Sequence, residues 1–242
     1  MLTVLDTCYL LLRGWGDAVR HPPNHAMSQS SSISIKCPSC GREQEFTTWS
    51  SINVSLNPEK KNELRNGSLN RFTCESCSES SEVNYPVLYH DPDKKFMVWL
   101  NGEDADIRGL MAGDFLDEYH LRLVNSRNHL VEKTHVLEMG LDDRLLELFK
   151  VSMRMGDKSI PEGDLLFAGV GSGQNDLKEL QFAVVSEKET KFIGAGFKAF
   201  EEFAVTFQPM LEAEPLEAAK WVQVDQAYAK ALLQRHLPQN SD

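Results

Sequence analysis

Two Cys-x-x-Cys pairs, Cys37-Pro38-Ser39-Cys40 and Cys74-Glu75-Ser76-Cys77, hold four of the five cysteines in this chain of 242 residues. A Cys-x-x-Cys turn directs two sulfur atoms towards one point, and two such turns supply the four thiolates of a tetrahedral zinc cage. Each pair follows a strand-like segment and runs into turn-forming residues. The pattern therefore predicts one structural Zn²⁺ per chain, with these ligands: Cys37, Cys40, Cys74 and Cys77.

Three other uses of paired cysteines fit this chain less well. Disulfides need an oxidising compartment and are typical of small scaffolds, whereas this chain is long and has no convincing export signal. A thioredoxin-like redox pair opens a helix, but residues 42–49, after the first pair, have a strand-like pattern. A catalytic zinc keeps one position open for water, and four thiolates fill the coordination sphere.

Composition and charge narrow the class of protein. The chain is 41% hydrophobic and 25% charged, as in ordinary soluble globular proteins of one large or two small domains. Its net charge is −11, of which residues 36–100 carry −1 and residues 101–242 carry −10. A nucleic-acid binding protein needs a basic face to neutralise phosphates. Because neither part offers one, we expect no nucleic-acid partner.

The N-terminal segment differs from the rest of the chain. We predict that residues 1–32 are a disordered tail or a gene-model extension, with translation beginning at Met27. The apolar stretch 2–12 is too short to span a bilayer, and it lacks the charged and cleavage regions of a signal peptide. We therefore expect a cytoplasmic protein with no membrane association. Cys8 lies in this segment and is assigned no role.

Local patterns in the first half predict a β module with one short helix. Between the pairs, Asn57 provides an N-cap, Pro58 a first helical turn and Gly67 a stop. Alternating segments bounded by turn residues predict strands at 32–36, 45–55, 71–73, 82–89 and 95–100.

The second half mixes helices and strands. Apolar periodicity predicts helices at 115–128 and 141–155, whereas strand patterns occur at 165–168, 180–185 and 191–194. The glycine-rich segment 169–173 precedes a strand-like run, so we predict a hairpin loop there; a phosphate loop must open a helix. Asp142 and Asp143 begin the second helix but point about 100° apart, which disfavours an acid/base pair. Asp225 is predicted to cap a final amphipathic helix.

The predicted fold class is α+β. An N-terminal zinc-ribbon-like β module with a short helical insertion covers residues 33–100. An acidic helical and β-stranded C-terminal region covers residues 101–242.

The cysteine arrangement resembles that of the bacterial and archaeal CpXC domain. The resemblance rests on Cys37-Pro38-x-Cys40, on Leu64…Asn66-Gly67…Leu69-Asn70-x-Phe72-x-Cys74-x-x-Cys77, and on the paired strands that follow. It continues through Gly140-Leu141-Asp142-Asp143-Arg144 and covers roughly residues 33–155. It implies a zinc-ribbon-like domain but no activity, because the family is functionally uncharacterised.

Two residues depart from the expected pattern. Glu75 stands where the proline of the first pair would be repeated. Ser78 stands where many zinc knuckles carry glycine, which predicts a different backbone turn after Cys77.

Three functional classes follow from these observations. A binding or adaptor module is favoured, because the predicted site is closed and no catalytic constellation is visible; its acidic C-terminal region would suit a basic protein partner through charge steering. A zinc or redox sensor is the first alternative and would need accessible thiolates. An enzyme with an unrecognised C-terminal site is the second, and a cleft holding carboxylates with perturbed pKa values would be its sign. The sequence does not predict an oligomeric state.

Overall fold

The computed structural model describes residues 28–100, 114–173 and 176–236, and it confirms the α+β class with ten strands and five α-helices in that part of the chain. The chain divides into two compact units, residues 1–120 and residues 121–242. The predictions made for residues 1–27, including Met27 as the start and Cys8, concern positions outside the described residues.

The first unit is built from two hairpins, one short helix and a further strand pair. Strands β1 and β2 form the first antiparallel hairpin, and β3 and β4 form the second. Strand β5 lies parallel to β2 and antiparallel to β6. The elements are β1 (Gln29–Lys36), β2 (Glu43–Asn53), α1 (Glu59–Asn66), β3 (Arg71–Thr73), β4 (Ser80–Glu82), β5 (Val87–Asp91) and β6 (Phe96–Leu100).

Strand β1 begins inside the segment that was predicted to be a tail. Residues 29–32 pair with β2, and the hydroxyl groups of Ser31 and Thr48 lie 3.0 Å apart. Because β2 is 11 residues long, it offers hydrogen-bond partners to this serine-rich stretch. Secondary structure thus extends to Gln29, four positions before the predicted module boundary at residue 33.

Two local predictions in this unit were wrong. The N-cap of α1 is Pro58 rather than Asn57, whose side-chain amide instead donates to the Glu59 carboxylate at 3.2 Å. The segment 82–89 is not one strand, because β4 ends at Glu82 in the second hairpin and β5 begins at residue 87. Pro86 lies between them and has no N–H for a sheet ladder.

The remaining elements run from β7 to the last helix. They are β7 (His120–Val124), α2 (Arg127–Glu138), α3 (Asp143–Gly156), β8 (Asp164–Ser172), β9 (Lys178–Val185), β10 (Thr190–Gly196), α4 (Phe197–Ala213) and α5 (Gln226–His236).

The helix predicted at 115–128 is wrong. A 3₁₀ turn (Asp114–Glu118) precedes β7, and α2 begins only at Arg127. Leu123 N–H donates to the Val222 carbonyl at 3.0 Å, and Val222 N–H donates to the Leu121 carbonyl at 3.2 Å. A distant segment therefore supplies part of the backbone hydrogen bonding of β7, which local periodicity could not reveal.

The second unit encloses one apolar core. Helices α2, α3, α4 and α5 contribute buried side chains, together with the antiparallel sheet ordered β10-β9-β8. Phe149 on α3 is central, with ring centroids 5.3 Å from Phe200 and 5.2 Å from Phe203. The predicted helix at 141–155 thus corresponds to α3. Asp225 caps α5 as predicted, because its carboxylate accepts the Tyr228 N–H at 2.9 Å.

The glycine-rich segment 169–173 belongs mainly to a strand rather than to a loop. Strand β8 continues to Ser172 and pairs antiparallel with β9, with an irregular register beside Gly169. Gly169 has a φ of 147°, and a Cβ there would lie 3.3 Å from the His135 ring. The hairpin of β8 and β9 was predicted correctly. The glycines, however, lie in its first strand, where they allow a positive φ and close contacts with neighbouring side chains.

A buried ionic network ties α2, α3 and β7 together. Arg122 donates two hydrogen bonds to the Asp143 carboxylate, at 2.8 and 3.0 Å. Lys133 lies 3.1 Å from the same carboxylate and 3.7 Å from Glu147. Lys150 lies 2.9 Å from Glu147 and 2.8 Å from Glu132 on α2. All six side chains of this network are buried.

We predict that Asp143→Asn lowers the free energy of unfolding by about 3–5 kcal/mol, because it leaves the cations of Arg122 and Lys133 buried without their anion. Burial acts to raise the pKa of Asp143, but Lys133 and Arg122 outweigh it and hold the pKa well below its usual range. The stabilisation is therefore complete above pH 4, which is about the pKa of Asp143 in the unfolded chain. It is lost as the pH falls through the lower pKa that Asp143 has in the folded protein. Urea titrations should show the gap between variant and wild type narrowing in acid.

The neighbouring substitution Asp142→Asn is the matched control. Asn caps a helix as well as Asp does, and the ion pair between Asp142 and Arg144 is partly exposed, so we expect a loss below about 1 kcal/mol. Equal losses in the two variants would contradict the role assigned to the buried network.

Candidate metal centre

The first cysteine pair lies in the six-residue loop that joins β1 to β2. Cys37 N–H donates to the Arg42 carbonyl at 2.8 Å, and Gly41 N–H donates to the Cys37 carbonyl at 2.9 Å. Gly41 has a φ of 74°, in the left-handed region that glycine adopts at little cost. This turn reverses the chain directly after Cys40.

The second pair repeats this geometry in the six-residue loop between β3 and β4. Cys74 N–H donates to the Glu79 carbonyl at 2.8 Å, and Ser78 N–H donates to the Cys74 carbonyl at 2.9 Å. Ser78 has a φ of 59°. The prediction of a different turn after Cys77 is therefore wrong, because Ser78 adopts the left-handed conformation that glycine provides in the first loop.

The two loops bring four sulfur atoms together. The Sγ atoms of Cys37 and Cys77 are 3.6 Å apart, those of Cys40 and Cys74 are 3.5 Å apart, and all four lie within 4.8 Å of one another. A tetrahedral cage with Zn–S bonds of about 2.3 Å places neighbouring sulfurs about 3.8 Å apart. The cluster thus has the dimensions of a metal cage, and these four cysteines can hold a metal ion.

The two sulfurs of each pair differ in exposure. Cys37 and Cys74 are buried, whereas Cys40 and Cys77 are exposed to solvent. Each buried sulfur contacts the exposed sulfur of the other pair. One side of the cluster therefore faces the interior of the first unit, and the other faces solvent.

The electrostatics of the cluster favour a cation. Backbone N–H groups of Cys77 and Ser76 lower the pKa of the Cys74 thiol to about 6. The backbone N–H of Glu79 also acts to lower the pKa of Cys77, but desolvation and the adjacent thiols outweigh it and raise the pKa to about 12. Four neighbouring thiolates repel one another, so a divalent cation is the group that would allow all of them to ionise.

One residue that clamps the two hairpins together carries no recognisable sequence signal. The Gln44 side chain, on β2, donates to the Thr73 carbonyl at 3.0 Å and accepts the Glu75 N–H at 3.0 Å. Beneath it, Phe46 packs edge-on against Phe72 and Tyr85, with both centroid distances at 6.4 Å. A lone glutamine on a strand is typical of a surface position, so only the fold reveals this contact.

The other candidate groups do not form a comparable site. Among the described residues, the four cysteines are the only set of three or more Cys, His, Asp or Glu side chains close enough to share a metal ion. The neighbouring carboxylates of Asp142 and Asp143 are separated as expected: the first caps α3, and the second belongs to the ionic network.

Comparison with known proteins gives one match. Residues 35–150 match the family model described as CpXC protein. This segment belongs to the CpXC family. The match begins two residues before the first cysteine pair and ends at Lys150 on α3, so the resemblance noted in the sequence is confirmed. No curated protein and no solved structure is significantly similar to the chain.

In the described parts of the chain, no helix combines the length and the apolar character needed to cross a bilayer.

We predict that Ser78→Gly raises the free energy of unfolding of the CpXC segment by up to about 1 kcal/mol, because it relieves the left-handed strain of a residue with a Cβ. Gly41→Ala should lower it by a similar amount for the converse reason, since an added Cβ there meets only the Lys36 side chain, at 3.7 Å. Denaturant unfolding of the metal-loaded protein measures both effects.

Ser39→Gly is the matched control for this pair of substitutions. Ser39 lies in the first loop but is not among the residues with positive φ. Replacing it with glycine should therefore only add chain entropy to the unfolded state and lower stability. A change of the same sign for Ser39→Gly and Ser78→Gly would contradict the strain argument.

Proposed function

We propose that this protein is a zinc-stabilised interaction module that acts as an adaptor for another protein. The observation that carries the proposal is the cluster of four Sγ atoms within 4.8 Å of one another. Four thiolates fill the tetrahedral coordination sphere of Zn²⁺ and leave no position for a reacting water. In this proposal one Zn²⁺ per chain is structural, and the protein is not an enzyme at this site.

The small size of the second hairpin explains why a metal would be needed. Strands β3 and β4 have three residues each, and an isolated two-stranded hairpin is marginally stable in water. Binding of structural zinc contributes roughly 10–16 kcal/mol in zinc-finger peptides at neutral pH. The ion would therefore hold the two hairpins in one arrangement and keep a binding surface rigid.

The charge of the chain supports a protein partner of basic character. Residues 101–242 carry a net charge of −10, which repels nucleic acid and steers basic surfaces towards the protein. Four reduced thiolates also require a reducing compartment. The proposal therefore places the protein in the cytoplasm, with a basic protein as its partner.

We predict one zinc per chain in protein purified under reducing conditions, because all four ligands come from a single chain. Metal analysis by mass spectrometry gives the stoichiometry. Counting of thiols before and after addition of a chelator should show four of them becoming reactive only after chelation. The absence of zinc, or the presence of two disulfides, would overturn the structural zinc site.

We predict that Cys74→Ser unfolds residues 33–100 while the later region stays largely folded, because the ligand set is broken and the apolar core of the second unit contains no residue of the first. Hydrogen exchange with mass spectrometry reports on each region separately. Cys8→Ser is the control, since it removes a cysteine outside the proposed set and should keep the zinc. A Cys74→Ser protein with full zinc content and unchanged exchange would refute the role of this ligand.

The adaptor role has its own test. Affinity capture with the zinc-loaded protein should retain basic proteins at low salt and release them at high salt, because screening weakens charge steering. The same capture with the Cys74→Ser protein distinguishes a partner of the zinc module from a partner of the acidic region. Recovery of no basic protein under any of these conditions would refute the partner proposed here.

The exposure of Cys40 and Cys77 favours a zinc or redox sensor as a second candidate. Oxidation of two accessible thiolates to a disulfide by a peroxide would remove two ligands and release the metal. Zinc release at micromolar hydrogen peroxide, reversed by a thiol reductant, would support the sensor. Retention of the metal under those conditions would leave the structural adaptor as the better description.

A further inference from the structure

The sulfur contacts within the four-cysteine cluster run between the two hairpins. The Sγ atoms of Cys40 and Cys74 are 3.5 Å apart, and those of Cys37 and Cys77 are 3.6 Å apart. Four cysteines allow three disulfide connectivities, and these two contacts correspond to one of them. A disulfide brings its sulfurs to about 2.05 Å, so each contact would have to shorten by only about 1.5 Å.

Each of the two contacts joins an exposed sulfur to a buried one. Cys40 and Cys77 are exposed, whereas Cys37 and Cys74 are buried. A soluble oxidant therefore reaches Cys40 and Cys77 first, and the sulfur that contacts each of them belongs to the other hairpin. An accessible thiolate beside a second cysteine that can resolve it is the arrangement found in reversible redox sites.

Contacts that do not involve the sulfurs hold the two loops together. The Gln44 side chain binds the Thr73 carbonyl and the Glu75 N–H, each at 3.0 Å. The side chains of Arg42 and Glu75 carry opposite charges and lie 3.8 Å apart. Because none of these groups is consumed when a thiolate is oxidised, the loops keep their contact while the sulfurs react.

We propose that a peroxide converts the cluster into two disulfides that cross between the hairpins, Cys40–Cys74 and Cys37–Cys77, with release of zinc and retention of the fold. This redox chemistry acts on the zinc site of the proposed function and therefore rests on that function. It specifies which sulfurs pair in the sensor and what happens to the first unit when the metal leaves.

The chemistry consumes one peroxide molecule for each disulfide. The Cys40 thiolate attacks a peroxide oxygen, the O–O bond breaks and hydroxide leaves, which gives a sulfenic acid on Cys40. The Cys74 thiolate then attacks the Cys40 sulfur, and a second hydroxide leaves as the S–S bond forms. The two thiolates lose two electrons and the peroxide gains them. Cys77 and Cys37 react in the same way, and a thiol reductant reverses both steps.

The connectivity decides whether the hairpins stay together. A disulfide within one Cys-x-x-Cys pair closes a loop inside a single hairpin and places no link between the two hairpins. The crossed disulfides join residues that are 34 and 40 positions apart, and a crosslink that closes a long loop restricts the unfolded chain more than one that closes a short loop. We therefore expect the oxidised protein to lose its zinc without unfolding.

The test is disulfide mapping of the full-length, zinc-loaded protein after treatment with hydrogen peroxide. Iodoacetamide blocks the remaining thiols, and digestion with trypsin and glutamyl endopeptidase separates Cys74 from Cys77, because Glu75 lies between them. In partly oxidised samples, tandem mass spectrometry shows whether Cys37 or Cys40 carries the alkyl label. The peptide with Cys74 should be linked through Cys40, and the peptide with Cys77 through Cys37.

The outcomes separate this chemistry from the zinc site itself. Disulfides within the pairs, a direct bond between Cys40 and Cys77, or no disulfide at millimolar peroxide would overturn the crossed connectivity alone, provided that the untreated sample contains zinc. An untreated sample without zinc would overturn the proposed function as well.

Hydrogen exchange of residues 71–82 reports on the second hairpin. Its protection should survive oxidation, because the crossed disulfides replace the link through the metal. Chelation of the reduced protein puts no covalent link in place of the metal, so the same protection should then be lost. Equal loss of protection in the oxidised and the chelated protein would contradict the retention of the fold.

Gln44→Ala tests the contact between the loops. Because two hydrogen bonds between the loops are lost, the ratio of disulfides within the pairs to crossed disulfides should rise about fivefold. Glu43→Ala is the matched control, since this neighbouring side chain on β2 is exposed and is not part of the contact. Equal ratios in the two variants would contradict the role of Gln44. The mapping of the wild-type protein decides the connectivity even if Gln44→Ala fails to bind zinc.

Discussion

The first unit depends on the meeting of four sulfur atoms. Two hairpins from distant parts of the sequence each close with a six-residue loop, and the loops face each other because their sulfurs share one centre. The same two backbone hydrogen bonds shape both loops. Gln44 and the aromatic cluster around Phe46 then fill the space between the hairpins. The three-residue strand β3 is thereby joined to β2 by side-chain contacts.

The second unit is held together by different physics. Its apolar core joins four helices to a three-stranded sheet, and beside that core six charged side chains are buried. Buried ion pairs are costly to desolvate and are justified only by good geometry and by further hydrogen bonds. The bidentate contact between Arg122 and Asp143 satisfies this condition, whereas Glu147 Oε2 has no hydrogen-bond partner among the described residues.

Sequence patterns predicted the elements that depend on local interactions. The four cysteines, the stop of α1 at Gly67 and the cap of α5 by Asp225 follow from spacing and from side-chain chemistry. The predictions failed where a remote segment decides the outcome. Residues 121–123 pair with Val222 and form a strand, although their periodicity suggested a helix. Residues 29–32 become ordered because β2 is long enough to pair with them.

The sequence by itself determined the α+β class, the CpXC resemblance and which four cysteines can share a metal ion, because cysteine spacing is a local property that survives without knowledge of the fold. Only the tertiary structure decided that Ser78 adopts the left-handed turn, that Cys40 and Cys77 are exposed, and that Glu147 is buried within an ionic network. These features depend on burial and on partners contributed by distant segments. Both become defined only when the chain has folded.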